Sequence, residues 1–277
     1  MITPLTIIAT TNYSDTARNA VTYAAGITRA TNAKLILFNS FVLSVHSANS
    51  LISAEETQKE LDKAVLRLET LGKEIADLFK IEVQCFCSHS FLEDELSALI
   101  DSTGAALVVM GMAERSFEQD LLGNTTTSFI KNIDVPILAV PLNARFQKVR
   151  KVLYACDTLS FPATKRFSWI MQIIRSLDIE IELFSVDESV AEIKKRDKVL
   201  VTNGVSGKEF EDVKYIYKTV RSNAVIHEIE KEIKHYQADI LVMVPKKYGF
   251  WDSLIHKSKT RIMASGLDIP LLSFPHH

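Results

Sequence analysis

The residues best placed to do chemistry lie between Met110 and Thr126, in the stretch MGMAERSFEQDLLGNTT. It follows the apolar run AALVV, and Gly111 closes that run. Gly123, Asn124, Thr125 and Thr126 then open a helix-forming stretch. Backbone N–H groups at a helix start, together with the positive end of its dipole, bind phosphate. Glycine lets the backbone approach the ligand closely. The segment between the glycines opposes that chemistry, since Glu114, Glu118 and Asp120 outnumber a single Arg115. At ~4 Å and an effective dielectric near 20, each like-charge contact with a phosphate costs about 4 kcal/mol before screening. If these carboxylates face the ligand the anion site is lost; if they face solvent it survives, weakened.

The equivalent region late in the chain has the opposite charge. Lys246, Lys247, Lys257, Lys259 and His256 crowd together there, around Trp251. Without glycines a lysine cluster gives weak, salt-sensitive anion binding, and the simpler reading is solvated lysines on a loop and first helical turn. Asp157 supplies an acidic residue at the end of an apolar run, where Asn12 stands in the first half. The usual catalytic patterns are missing: there is no HExxH, no GxSxG, no GxxxxGK[ST] and no GxGxxG after a strand. The sequence HKSKT (256–260) lacks the HxGH partner of a nucleotidyl-transfer site. No enzyme activity and no metal are expected. Cys85 and Cys87, with one residue between them, are too close for the usual zinc spacing, and Cys156 is remote in sequence. Cys85 and Cys87 read as buried structural thiols.

The elements that must hold these residues alternate. LTIIAT, AKLILFNS, IEVQCFC, AALVVMG and VPILAV read as buried strands. Between them lie helical stretches. The first is capped by Ser14 and carries Ala17, Val21, Ala24 and Ile27 on one face. The second, Glu55 to Phe79, sets Leu61, Val65, Leu68, Leu71, Ile75 and Leu78 on one face. FLEDELSALIDS and NTTTSFIKNI follow. The second half repeats the order, with strands VRKVLYACD, IEIELFSV, VKYIYKTV, ADILVMVP and IPLLSF, and helices that include NAVIHEIEKEIKHY. Residues 105–127 and 238–260 align without a gap, so that Met110 meets Met243, Leu121 meets Leu254 and Thr127 meets Thr260. Self-similarity at half the chain length means two copies of one domain, here 1–145 and 146–277, divided in the polar stretch NARFQKVR. Strand–helix alternation predicts parallel sheets with helices on both faces, an α/β fold.

Composition sets the wider limits. The chain has 277 residues, 47% of them apolar, and a formal charge of -2. That charge gives no case for a nucleic-acid partner. No run reaches the ~18 apolar residues of a membrane helix, and three cysteines without a signal-peptide pattern favour a reducing compartment. A cytoplasmic protein is expected.

The five-strand unit ending VVMG–loop–GNTT–VPILAVP resembles the universal stress protein family, and two copies in one chain resemble its tandem members. The resemblance implies strand order 3-2-1-4-5 in each domain. It also implies pairing of the two last strands, which makes one chain an intramolecular pseudo-dimer, with a higher homo-oligomer open. In nucleotide-binding members the motif is Gly-x-x-Gly, a spacer, then Gly and Ser/Thr, with an Asp after the first strand contacting the nucleoside. Here Gly111 and Gly123 match its first and last glycines, and Thr11 and Met110 match positions lining the nucleoside pocket. Glu114 replaces the second glycine, the spacer is one residue short, and Asn12 replaces the Asp. In the second half Asp157 keeps the acidic position, while Val244 and His256 replace the glycines. The resemblance therefore implies a non-catalytic regulatory or binding module of the stress response with degenerate nucleotide sites. The alternative is an ATP-binding member using the first loop, with slow hydrolysis. Candidate weak ATP contacts are Thr11, Asn12, Met110, Gly111, Gly123, Asn124, Thr125 and Thr126; weaker anion candidates are Asp157, Lys246, Lys247 and Lys257.

Overall fold

The computed structural model describes residues 5–41, 54–88, 92–112, 129–130, 132–147, 149–156, 178–187, 215–222, 224–243 and 267–275. The chain divides into two compact units, Met1–Phe146 and Gln147–His277.

The first unit is built on β1 (Thr6–Thr10), β2 (Lys34–Ser40), β3 (Val83–Ser88), β4 (Leu107–Met112) and β5 (Ile137–Pro141), in the order β3-β2-β1-β4-β5. Its pairings are parallel, including β1 with β2 and with β4. Consecutive side chains of a strand point to opposite faces. Ile8, Ile36, Phe38, Val108, Met110 and Ile137 form one buried cluster with Leu96, Leu99 and Ile100 of α3 (Leu92–Thr103) and with Phe129 and Ile133. The helices α1 (Asp15–Thr31) and α2 (Ala54–Phe79) also belong to this unit. Helix α1 starts where Ser14 Oγ accepts from Ala17 N–H, and Asp15 suits the dipole of its first turn. Its inner face is small, with Ala17, Ala20, Val21, Ala24 and Ile27 buried, so it lies close to the sheet.

Two sequence expectations change on this face. Leu68, Leu71 and Ile75 of α2 are buried and Leu61 and Val65 half-buried, but Leu78 is 69% exposed. The helical spacing places Leu78 on the apolar stripe, yet at the last turn of α2 it faces solvent. Cys85 and Cys87 do share a face of β3, but they are half-buried, because β3 is the edge of this unit's sheet.

The second unit repeats the scheme. Strands β6 (Lys151–Cys156), β7 (Glu180–Asp187), β8 (Tyr215–Arg221), β9 (Ile240–Met243) and β10 (Leu271–Ser273) run in the order β10-β9-β6-β7-β8, again parallel. Read from its own first strand, this is the 3-2-1-4-5 order of the first unit. Helix α4 (Val225–Tyr236) buries Val225, Ile229, Glu232 and Tyr236. The helices expected between β6 and β7, after β7 and before β10 lie outside the described residues.

Candidate functional site

In an α/β sheet of this order, ligands bind beyond the carboxyl ends of the strands, at the reversal between β1 and β4. Four of the expected residues are described there, and their side chains are largely engaged by the fold. Thr11 is buried; its Oγ1 accepts from Tyr13 N–H at 3.0 Å, and its carbonyl accepts from Asn39 Nδ2 at 2.7 Å. Asn12 is exposed, and its Oδ1 accepts from both Ser14 N–H (3.1 Å) and Ser14 Oγ (2.7 Å). This Asx turn holds Ser14 in position to cap α1. With the carbonyl oxygen occupied, the group Asn12 presents outward is an NH2, a donor, where a nucleoside hydroxyl is best held by a carboxylate acceptor.

Met110 is 4% exposed and belongs to the cluster beneath α3. Gly111 has a packing reason to be glycine. A Cβ there would lie 2.9 Å from the backbone carbon of Thr16 and 3.0 Å from Ala17 N, so α1's first turn sits directly against β4. Gly123, Asn124, Thr125 and Thr126, with Glu114, Glu118 and Asp120, lie outside the described residues, as do Asp157, Lys246, Lys247, Lys257, His256 and Trp251.

Sequence reasoning passed over Tyr13, next to Asn12. Its φ is 65°, a left-handed conformation uncommon for an aromatic residue. The Thr11 hydrogen bond to its N–H favours this turn. Arg67 of α2 stacks its guanidinium on the Tyr13 ring, 3.8 Å from the centroid. The Tyr13 hydroxyl is buried with no hydrogen-bond partner among the described residues. Burial, then the Cys87 and Cys85 thiols, outweigh Arg67 and push its pKa up to about 12. Tyr13, Arg18, Lys63, Leu66, Arg67 and Thr70 line most of an open groove of ≈ 360 Å³. A left-handed Tyr has no sequence signature of its own; the TTNYSD run of turn-forming residues around it is the available hint.

The two thiols of β3 are not activated. Cys87 Sγ donates to Asn39 Oδ1 at 3.8 Å and Cys85 Sγ to the Leu68 carbonyl at 3.5 Å. Burial raises both thiol pKa values, with Glu69 adding to the rise at Cys85, so neither is poised as a thiolate. No group of three or more metal-ligating side chains occurs among the described residues.

Comparison with known proteins places this geometry in a class. Residues 5–141 match the model of the universal stress protein family, a likeness that covers the first unit. No curated protein is significantly similar in sequence. Among solved structures, a universal stress protein from Archaeoglobus fulgidus aligns with 98% of this chain and 96% of its own, at 15% identity and a TM-score of 0.74. A putative universal stress protein from Pseudomonas aeruginosa aligns with 99% of this chain and 94% of its own, at 13% identity and a TM-score of 0.58. At such identities the likeness is one of fold. A universal stress protein in complex with cAMP aligns with 49% of this chain and 96% of its own at 22% identity. Its TM-score of 0.39 is too low to carry its ligand across. No described helix is long and apolar enough to cross a membrane.

Proposed function

We propose that the chain is a tandem universal stress protein acting as a non-catalytic regulatory or binding module, with degenerate nucleotide sites in both halves. The repeat of strand order in the two units supports the tandem reading. The observation that carries the rest is Asn12. Its side-chain carbonyl oxygen is engaged by Ser14, so the Asn12 side chain offers no free acceptor to a nucleoside. Glu114 in place of glycine and the short spacer act against the phosphate end. The two halves form an intramolecular pseudo-dimer in this reading, and the protein works in the cytoplasm.

Calorimetry with ATP on the full chain tests it. The expected affinity is no better than roughly millimolar, about 4 kcal/mol of binding. Micromolar binding that disappears in Gly123→Val would establish instead an ATP-binding member using the first loop. Gly111 is a poor probe, because α1 packs on it whether or not a ligand binds. Repair should require both ends together: Asn12→Asp combined with Glu114→Gly and one inserted residue should gain more affinity than either change alone.

A further inference from the structure

The second unit buries two glutamates that are not among the candidate nucleotide contacts. Glu182 lies in β7, which is paired on both sides by β6 and β8, and it is 5% exposed. Glu232 lies on the inner face of α4 and is 4% exposed. Among the described residues one cation serves them: Lys218 of β8, whose Nζ donates to Glu232 Oε2. Each glutamate leaves its Oε1 buried with no partner among the described residues. The two side chains lie within hydrogen-bonding reach of each other. Two carboxylates can make that bond only when one of them carries a proton.

Among the described residues, the other charged groups around the pair do not supply a second cation. Glu180 of β7 adds negative charge, and its Oε1 accepts from the Tyr236 hydroxyl of α4 at 3.0 Å. Lys151 of β6 is turned to Tyr236, with Nζ 4.9 Å from the ring centroid and 3.2 Å from the Tyr236 carbonyl oxygen. Asp239 accepts from the N–H groups of Arg150 and Lys151. Glu228 of α4 pairs with Lys231 on the same helix.

We propose that Glu182, Glu232 and Lys218 form a proton-controlled latch. A proton shared between the carboxylates holds α4 on the sheet, and its loss as pH rises past neutrality loosens the helix. Two ionised carboxylates beside one ammonium would leave a buried net negative charge that no donor among the described residues satisfies.

The electrostatics of the pair agree in direction. Burial first, then the charge of Glu232, raise Glu182 from 4.5 to about 7, against the opposing pull of Lys218. The folded state therefore keeps a proton that the unfolded chain releases. The stability this contributes is full below pH 4.5 and is lost as pH rises through about 7.

The test uses the full chain. Both tryptophans, Trp169 and Trp251, belong to the second unit, so their fluorescence during urea unfolding reports that unit. Between pH 5 and pH 8.5 the folding constant of the wild type should fall more than that of Glu182→Gln, by ~10–100-fold. The Gln amide donates to Glu232 at every pH and so holds the latch closed. Hydrogen exchange of residues 225–236, corrected for the intrinsic pH dependence, should accelerate over the same range in the wild type only. Equal pH dependence in the two proteins overturns the proposal. Should Glu182→Gln fail to fold, infrared titration of the wild type decides. A protonated-carboxyl band disappearing with a midpoint near neutrality supports the latch, and its absence at pH 6 overturns it.

Discussion

Gly72 and Cys85 show how one side chain fixes another at the residue scale. A Cβ on Gly72 of α2 would lie 2.5 Å from Cys85 Sγ, so the absent methyl group makes room for the thiol on β3. Gly72→Ala should destabilise the first unit by about 1–3 kcal/mol through overpacking. Cys85→Ala removes the obstructing sulfur, so the double variant should recover roughly 1 kcal/mol or more relative to the sum of the single changes. A urea-unfolding double-mutant cycle measures this, and strict additivity would show that the two side chains do not meet. The sequence placed Cys85 and Cys87 on one face correctly, because strand alternation fixes faces. It overstated their depth, because depth depends on whether a strand is central or at an edge.

The same distinction governs the elements. Strands and helices were legible wherever period and caps agreed, as for β1 followed by Ser14 and α1. Glu182 was not legible: in IEIELFSV it looks like a residue of a solvated face, yet β7 is an interior strand of a parallel sheet, whose two faces are normally both covered. Interior position follows from strand order, which local pattern does not contain. The stretch NARFQKVR reads as a polar connection, but its first part is fastened to α1. Asn19 Nδ2 donates to the carbonyls of Pro141 and Ala144, and Arg145 donates to Asn19 Oδ1 at 2.7 Å. Phe146 meets Tyr23 edge-on at 5.3 Å and fills the notch left by Gly26, where a Cβ would come within 2.3 Å of its ring. Phe146→Ala should therefore cost the first unit roughly 2 kcal/mol of lost burial. Arg145→Ala, at an exposed residue, should cost less. Thermal melting of the two variants tests the order; equal, negligible shifts would return this segment to the status of a passive linker.

At the scale of the molecule, the proposal that the halves form a pseudo-dimer has a direct consequence. Residues 1–146 contain a complete five-stranded order, buried clusters and the Phe146 anchor, so this fragment should fold alone. Within it β5 is an edge strand of sequence ILAVP. An apolar edge strand with unpaired N–H and C=O groups invites another chain to pair with it. If the last strands of two such domains are built to meet, as the family resemblance implies, the isolated fragment should supply the missing partner from a second copy of itself. Sedimentation should then show a 1–146 dimer at micromolar concentration, and Leu138→Lys on β5 should return it to monomer. A fragment that is folded yet monomeric across that range would mean that β5 is not an interaction strand, and the pseudo-dimer would have to be abandoned.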